Sequence, residues 1–187
     1  MKAIILAAGC GTRLGKYTKD LPKGMLSVFG KSIIQQQVDL FKRMGINDII
    51  IIKGYKAEKI TIEGVKSYFN PDYNTTNMVE SLFCADEELE GEIIISYGDV
   101  LVEPRVLKTV INSTVEIGVL VDLDWKDYWF ARYGKVDFDT ESLRFDEAGR
   151  ITELGKSNPK LSDIEGRYVG MIRLSEKGAT IINKIYH

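Results

Sequence analysis

The chain starts with a run of apolar residues, 3–8, that stops at the glycines within residues 9–11. A continuous apolar run followed by glycine is typical of a central strand in a parallel sheet, where both faces are covered. Near-helical apolar spacing over residues 32–44 then predicts a helix, which Gly45 ends, and residues 48–52 predict a second buried strand. Two such strands joined by a helix form a right-handed crossover unit. This part of the chain therefore predicts a doubly wound α/β layer.

The same patterns predict further elements of that layer. Residues 91–96 and 115–121 repeat the apolar strand pattern. Between them, residues 104–113 predict a helix, because a proline stands near its first turn. We therefore expect these strands to extend the mostly parallel sheet.

The second half of the chain has shorter apolar runs that are broken by turns. A turn pattern at residues 147–149 is typical of a hairpin. We therefore predict a small antiparallel extension beside or over the main sheet. Its strands are expected at residues 135–139, 143–146, 150–154 and 168–174. A last helix, capped by Ser175, is predicted to have Ala179, Ile182 and Ile185 on its apolar face.

Composition restricts the classes of partner. The 187 residues are 44% hydrophobic and 28% charged, as in folded globular proteins, and we expect one domain spanning residues 1–187. A formal net charge of −2 gives no general attraction to nucleic acid or to an anionic membrane, so we expect neither as a partner. The two cysteines, Cys10 and Cys84, form no metal-ligand or disulfide pattern, which favours a reducing cytoplasm. An anionic ligand must therefore be held by local cations and backbone amides.

The loop after the first strand carries the most specific motif. Residues 6–14 read Leu-Ala-Ala-Gly-Cys-Gly-Thr-Arg-Leu, and a Pro22-Lys23 pair begins nine residues after Arg13. Glycines let a backbone approach a phosphate and turn its amides inward, while Arg13 and Lys23 supply positive charge. The Walker pattern is absent, and the glycine spacing does not match the dinucleotide fingerprint. The motif predicts a phosphate-binding loop of another kind.

The loop motif and the Pro22-Lys23 pair together resemble the nucleotidyltransferase (pyrophosphorylase) superfamily, which makes nucleotide sugars and CDP-alcohols. The resemblance covers residues 1 to about 185 and implies a Rossmann-like fold of the nucleotide-diphospho-sugar transferase type. Members usually continue beyond this length, so two alternatives are open: a chain truncated at its C-terminus or a naturally shortened form. The residues implied for nucleotide binding are Leu6, Ala7, Ala8, Gly9, Gly11, Thr12, Arg13, Lys23, Asn77 and Ser81.

Asp99 follows a predicted strand and is expected at the carboxyl edge of the sheet, where open α/β sheets bind ligands. Mg²⁺ is usually held by one or two carboxylates together with phosphate oxygens of the substrate. In the resembled superfamily an aspartate in this setting is a metal ligand. The resemblance thus implies that Asp99 binds Mg²⁺ and forms the catalytic set with Arg13 and Lys23. The alternative is a turn aspartate that caps the next helix. A second metal carboxylate has no matching motif, and the candidates are Asp122, Asp124 and Glu165.

One subgroup of the superfamily fits best. The sequence Asn77-Met-Val-Glu-Ser81-Leu resembles an element of the phosphocholine and phosphonate cytidylyltransferases, which act in bacterial cell-surface polysaccharide and phosphonate biosynthesis. The blocks at residues 80–86 and 122–132 strengthen this resemblance. By analogy, Asn77 and Ser81 contact the base or the ribose of CTP. For Asn77, N-terminal helix capping is the alternative.

The loop expected after the strand at 115–121 contains aromatic and charged residues, which are candidates for the acceptor pocket. An aromatic face with nearby carboxylates is one way to bind a quaternary ammonium or amine. Two alternatives remain open: the aromatic residues close a hydrophobic edge or a homodimer contact, or, because cations are also present, the acceptor is acidic or zwitterionic. The predicted acceptor-binding residues are Tyr97, Asp122, Trp125, Trp129, Arg132 and Glu165.

The resemblance implies transfer of a nucleoside monophosphate, CMP in preference, from the nucleotide to a small phosphorylated or phosphonylated acceptor such as phosphocholine. The acceptor oxygen is already anionic, so no general base or protein nucleophile is required, in agreement with a single histidine at position 187. Two other functions stay open. One is a sugar-1-phosphate nucleotidyltransferase that uses UTP or dTTP, and the other is a nucleotide-binding domain without turnover.

Overall fold

The computed structural model describes every residue from Met1 to His187. The strands are β1 (Lys2–Ala7), β2 (Ser27–Val28), β3 (Lys31–Ser32), β4 (Ile49–Lys53), β5 (Lys66–Phe69), β6 (Ile93–Tyr97), β7 (Ile117–Asp122), β8 (Glu141–Phe145), β9 (Ile151–Ser157) and β10 (Arg167–Leu174). The α-helices are α1 (Ile33–Arg43), α2 (Met78–Phe83), α3 (Pro104–Ile111), α4 (Trp125–Tyr133) and α5 (Glu176–Tyr186).

Six strands form one sheet in the order β5-β4-β1-β6-β10-β7. Strand β1 lies between β4 and β6 and is parallel to both, and β5 is parallel to β4. Ile4 and Ile5, which point to opposite faces of β1, are both fully buried, so this sheet is covered on both sides. The predicted doubly wound, mostly parallel α/β sheet is confirmed.

Helix α1 has the ends that its sequence predicts. The Ser32 side chain accepts a hydrogen bond from the Gln35 backbone N–H at 3.2 Å, which caps the first turn. Gly45 follows the last turn with φ 85°, a left-handed conformation that glycine adopts without a steric penalty. The terminating glycine was predicted from the sequence, whereas the Ser32 cap is a finding of the structure.

The chain divides into two compact units. The first unit is Met1–Gly118 together with Gly170–His187, and the second unit is Val119–Val169. The first contains β1 to β6 and four of the helices, and the second contains α4 and the antiparallel β8–β9 pair. The hairpin turn predicted between β8 and β9 is confirmed, since the Gly149 N–H donates to the Asp146 carbonyl at 2.9 Å. One domain over the whole chain stays a prediction.

Strand β10 corrects the prediction that residues 168–174 belong to the antiparallel extension. It lies in the main sheet, antiparallel to β6, with Met171 opposite Ser96 and Leu174 opposite Ile93. Met171 and Leu174 are almost completely buried there. A two-stranded hairpin cannot bury residues to this degree, so burial favours the position next to β6.

Two other predictions of local structure were wrong. Residues 134–139 form bends instead of a strand, because Gly134 and Asp139 both have positive φ, 70° and 51°, and interrupt an extended backbone. Ile185 is 78% exposed, whereas the adjacent Tyr186 stacks on Phe83 at a ring distance of 3.5 Å. The larger aromatic ring therefore makes the contact that was predicted for Ile185.

No helix in the structure has both the length and the apolar composition needed to cross a lipid bilayer.

Glu88 connects three separate segments of the first unit and makes its stability depend on pH. Its carboxylate accepts hydrogen bonds from the ammonium groups of Lys66 and Lys2 and from the Tyr68 hydroxyl. The bond from Lys66, with smaller contributions from Lys2 and Tyr68, lowers the pKa of Glu88 from 4.5 to about 2. A lowered pKa stabilises the fold at pH values above 4.5, and this contribution is lost as the pH falls toward 2.

We therefore expect the Glu88→Gln variant to melt at a lower temperature than the parent at pH 6, with the difference shrinking between pH 4.5 and pH 2. The neutral amide keeps the shape of the side chain but cannot make the pH-dependent contribution to stability that the carboxylate makes. Melting temperatures of both proteins across this range measure the effect. A difference in melting temperature that stayed constant across this pH range would show that the ionised Glu88 carboxylate does not cause the loss of stability.

Candidate active site

The glycine-rich loop after β1 is folded back on itself. Gly11 has φ 62°, and the hydroxyl of Thr18, which is 3% exposed, donates to the Gly11 carbonyl at 2.9 Å. A Cβ at position 11 would lie 3.0 Å from the Lys23 Cβ, so the two halves of the loop are in close contact. The loop sequence thus brings the Gly11 backbone and the Lys23 side chain together.

Lys23 begins a short 3₁₀ turn, Lys23–Met25, which follows Pro22. Gly24 in this turn is buried against the end of β6: an added Cβ would lie 2.5 Å from the Gly98 carbonyl oxygen and 2.7 Å from Ile34. A glycine at position 24 is therefore required for the close approach of this turn to residues 98 and 99.

The Lys23 ammonium forms an ion pair with the Asp99 carboxylate, and the two side chains are 36% and 33% exposed. The Gly98 N–H donates to the Leu6 carbonyl at 2.8 Å, which holds this segment at the carboxyl end of β1. Asp99 therefore lies at the ligand-binding edge of a parallel sheet. Two of the three predicted catalytic residues, 76 positions apart in the chain, meet at this edge.

The other predicted residues of the loop have different degrees of exposure. Thr12 and Arg13 are exposed in the 3₁₀ segment Thr12–Tyr17. Ala7 and Ala8 are buried at the end of the strand, and the Ala8 carbonyl accepts from the Tyr55 N–H at 2.9 Å. Leu6 is half-buried and Gly9 is exposed, without any atom within 4 Å of a Cβ placed there. Gly9, Thr12 and Arg13 are thus the exposed residues among those predicted in this loop.

Asn77 and Ser81 have structural contacts of their own. Asn77 caps α2, accepting from the Val79 N–H at 2.7 Å. The Ser81 hydroxyl accepts from the Asn70 side chain at 2.9 Å and donates to the Asn77 carbonyl at 3.1 Å. The capping alternative therefore accounts for Asn77, and contact of either side chain with a nucleotide stays a prediction.

Two buried polar residues near this edge were missed by sequence reasoning. Gln37 donates to the Tyr97 carbonyl at 3.0 Å and accepts from the Ser96 hydroxyl at 2.9 Å, and Gln37 and Ser96 are almost completely buried. These bonds position the backbone directly before Asp99. The signal in the sequence is a polar residue on the apolar face of a helix. The second buried polar residue that sequence reasoning missed is Asn70, which directly follows β5. The turn sequence Asn-Pro-Asp is the signal that could have indicated it.

The predicted acceptor-binding carboxylates of the second unit accept local hydrogen bonds. Asp122 accepts from the Asp124 N–H at 3.0 Å, and Glu165 accepts from the Phe145 N–H at 2.7 Å, which fastens it to β8. No group of three or more His, Cys, Asp or Glu side chains able to hold a metal ion occurs in the structure. Asp99 is the carboxylate that pairs with Lys23 at this edge, and Mg²⁺ shared with substrate phosphates usually has one or two carboxylate ligands.

The aromatic residues after β7 lie on helix α4, whereas a loop was predicted. Trp125 and Trp129 are 1% and 7% exposed and pack with Ile164 in the core of the second unit. Residues one helical turn apart share a face, which is why the helix buries both indoles together. This burial favours the alternative in which the indoles close a hydrophobic edge. A role in acceptor binding stays a prediction.

Comparison with known proteins agrees with this geometry. Residues 3–125 match the family described as the MobA-like NTP transferase domain. The chain is 36% identical over 188 residues to the CTP:phosphoglutamine cytidylyltransferase of Campylobacter jejuni, covering 94% of this chain and 73% of that protein. It is 38% identical over 156 residues to the choline-phosphate cytidylyltransferase of Streptococcus pneumoniae, covering 81% and 67%. The solved structure of a CTP:phosphocholine cytidylyltransferase from Streptococcus pneumoniae superposes with a TM-score of 0.67 and 26% identity over 98% of this chain and 74% of that one.

Proposed function

The chain belongs to the MobA-like NTP transferase family, and we propose that it transfers CMP from CTP to a small phosphorylated or phosphonylated acceptor, releasing pyrophosphate. The predicted membership of the nucleotidyltransferases is thereby confirmed. The observation that carries the proposed activity is the contact of Lys23, from the glycine-rich loop, with Asp99 at the end of β6. The named activities of both relatives support CTP as the nucleotide and a phosphorylated small molecule as the acceptor.

The proposed reaction is an in-line displacement at the α-phosphorus of CTP. An oxygen of the acceptor phosphate or phosphonate forms the new bond to phosphorus, and the bond from the α-phosphorus to the bridging oxygen breaks, so that pyrophosphate leaves. The attacking oxygen is anionic at neutral pH, and no proton has to be removed. The single histidine, His187, pairs with Asp86 at 3.0 Å, and the proposed reaction requires no base from it.

Catalysis in this proposal rests on alignment and on compensation of negative charge. The exposed Arg13 and the backbone amides of residues 9–12 are suited to hold the phosphates of CTP. The Lys23 ammonium would compensate the charge that develops as pyrophosphate leaves. The Gly11 backbone and the Lys23 side chain have contacts within the fold, to Thr18 and Asp99, before a substrate binds, and such preorganisation lowers a barrier effectively.

Asp99 is the residue that would hold Mg²⁺, together with phosphate oxygens of CTP. The side chain fits this role as a one-third-exposed carboxylate at the carboxyl edge of the sheet, and its partner, the Lys23 ammonium, would then contact the phosphates instead. When bound, Mg²⁺ would neutralise the phosphate oxygens and so favour departure of pyrophosphate.

The proposed function predicts which substrates support pyrophosphate release. We expect release from CTP with acceptors such as phosphocholine, phosphoethanolamine, phosphoserine or 2-aminoethylphosphonate, and much less from UTP, dTTP, ATP or GTP. A coupled pyrophosphate assay of each nucleotide with each acceptor and with sugar 1-phosphates measures this. Preferential release from UTP or dTTP with a sugar 1-phosphate would instead identify a sugar nucleotidyltransferase. An increase in melting temperature with CTP, without release from any pair, would identify a nucleotide-binding domain without turnover.

A further inference from the structure

The segment that follows β4, residues 54–56, packs against the beginning of the glycine-rich loop. The Tyr55 N–H donates to the Ala8 carbonyl at 2.9 Å. Gly54 is buried, and a Cβ at this position would lie 2.7 Å from the Ala8 carbonyl oxygen and 2.7 Å from the Tyr73 Cβ. A glycine is therefore required for an approach this close. The segment thus holds the point at which β1 passes into the loop.

The Tyr55 side chain extends from there to the other end of the same loop. Its hydroxyl lies 2.7 Å from the Lys19 carbonyl oxygen and 3.1 Å from the Thr18 carbonyl oxygen, and it donates its one proton to this pair of acceptors. Next to it, the Lys56 ammonium pairs with the Asp20 carboxylate at 3.3 Å. Both ends of the loop are therefore tied to the same segment of the chain.

The contacts of Tyr55 continue through the loop to the proposed catalytic residues. Thr18, whose carbonyl accepts from Tyr55, uses its own buried hydroxyl to donate to the Gly11 carbonyl at 2.9 Å. Gly11 lies so close to Lys23 that a Cβ added to the glycine would be 3.0 Å from the Lys23 Cβ. Lys23 in turn pairs with Asp99. A continuous series of contacts thus leads from Tyr55 to the ion pair at the edge of the sheet.

The loop has little of its own to keep it in this conformation. Its middle part, Thr12–Tyr17, is a 3₁₀ segment that is interrupted at Gly15, where φ is 52°, and it contains no buried residue. Hydrogen bonds of a 3₁₀ helix have poorer geometry than those of an α-helix. Segments with few buried apolar contacts open locally at a small cost in free energy. The closed conformation of the loop therefore depends on contacts from outside it.

We propose that Tyr55 is a positioning residue, whose hydroxyl holds the glycine-rich loop closed so that Lys23 faces Asp99 before the nucleotide binds. This inference rests on the proposed function, because there the loop amides and Lys23 hold the phosphates of CTP. Tyr55 touches no reacting atom in this proposal and acts through Thr18. A loop that is open for part of the time lowers the apparent affinity for its ligand in proportion to the closed fraction. Tyr55 was absent from the site residues predicted from the sequence.

The Tyr55→Phe variant removes the hydroxyl and keeps the ring. We expect the backbone amides of residues 12–20 to exchange with solvent about fivefold faster in this variant than in the parent, the factor that one neutral hydrogen bond typically contributes. Exchange in α1 and the melting temperature should change little, because Lys19 is exposed and water can replace the lost donor. Hydrogen–deuterium exchange of the nucleotide-free proteins, followed by mass spectrometry, measures both regions.

Tyr73→Phe is the matched control for the loss of a phenol hydroxyl. The Tyr73 ring lies with its edge toward the Tyr55 ring at a centroid distance of 6.3 Å, and the Tyr73 hydroxyl forms no hydrogen bond within the chain. The control therefore changes the same neighbourhood without releasing the loop. Exchange of residues 12–20 should stay as it is in the parent.

Thr18 provides a second test, which decides the proposal should Tyr55→Phe fail to fold as judged by circular dichroism. Thr18→Val keeps the shape of the side chain but removes the hydroxyl that donates to Gly11, whereas Thr18→Ser keeps this hydroxyl. We expect faster exchange of the loop in Thr18→Val and parental exchange in Thr18→Ser. The two losses should not be additive in a Tyr55→Phe, Thr18→Val double variant, because the residues are in contact and act in series.

Steady-state kinetics connect the loop to the nucleotide. In Tyr55→Phe the KM for CTP should rise about twofold to fivefold, the upper value being the factor of one hydrogen bond, while the KM for the acceptor stays unchanged. A merely structural role of Tyr55 would lower the amount of folded enzyme and would leave both KM values as they are. Tyr73→Phe should keep both KM values.

Two results would overturn the proposal. One is unchanged exchange of residues 12–20 in folded Tyr55→Phe, and the other is faster exchange of the loop with an unchanged KM for CTP and an unchanged kcat. Failure of the proposed function would look different, since the parent would then release no pyrophosphate with any nucleotide and acceptor. Exchange of the nucleotide-free proteins requires no turnover, so in that case it still decides whether the Tyr55 hydroxyl holds the loop closed.

Discussion

The Asp99→Asn variant is expected to lose metal-dependent pyrophosphate release by about a thousandfold or more while it keeps its fold. A metal ion that compensates phosphate charge supplies several kcal/mol, and each ~1.4 kcal/mol corresponds to a factor of ten in rate. Asparagine has nearly the same shape but lacks the negative charge that the cation needs. The Asp99 side chain is 33% exposed, and ion pairs of such exposure contribute about 1 kcal/mol or less to stability.

Pyrophosphate release measured against Mg²⁺ concentration for both proteins tests this expectation. Asp39→Asn is the matched control, because Asp39 is also 33% exposed and also pairs with a lysine, Lys31. The control should retain the rate and the Mg²⁺ dependence of the parent. If Asp99→Asn shows the same Mg²⁺ dependence and rate as the parent, Asp99 is not a metal ligand and the proposed site is misplaced.

The Lys23→Ala variant is expected to lower kcat about a hundredfold with little change in melting temperature. Removal of one preorganised group that stabilises charge in the transition state typically costs ~3 kcal/mol, which corresponds to about two orders of magnitude in rate. The loss of the partly exposed pair with Asp99 affects stability much less. The effect should fall on kcat more than on the KM for the acceptor, since Lys23 acts on the phosphates of the nucleotide.

Steady-state kinetics of Lys23→Ala and of Lys31→Ala separate a catalytic role from a general effect of losing a lysine. Both variants remove the cation of an ion pair with an aspartate, but Lys31 lies in the short strand β3 and pairs with Asp39. Near-normal pyrophosphate release by Lys23→Ala would remove this residue from the catalytic set. The effects of Lys23→Ala and Asp99→Asn should not be additive, because the two side chains are in contact.

Elements with strong local signals were predicted closely. Strands β1, β4 and β6 have continuous apolar runs because both of their faces are buried, and α1 has helical apolar spacing because one of its faces is buried. Each of these patterns can be recognised within about ten residues. Helix α4 was missed because Trp125, Tyr128, Trp129 and Tyr133 are weak helix formers and its polar residues give no clear apolar stripe. Burial of the two indoles stabilises this helix, and burial is a property of the fold.

By itself, the sequence determined the kind of chemistry and the local framework that carries it. The Gly9–Gly11 turn, the cations Arg13 and Lys23 and the strand-end Asp99 are local features, and the same residues would mark a phosphate-binding loop in any α/β chain. Only the tertiary structure decided which of them meet. Lys23 reaches Asp99 because Gly24 allows the turn to approach the Gly98 carbonyl, and Arg167 covers Trp129 although 38 residues separate them. Contacts between distant segments depend on the packing of the whole chain, and no local pattern of apolar or charged residues encodes them.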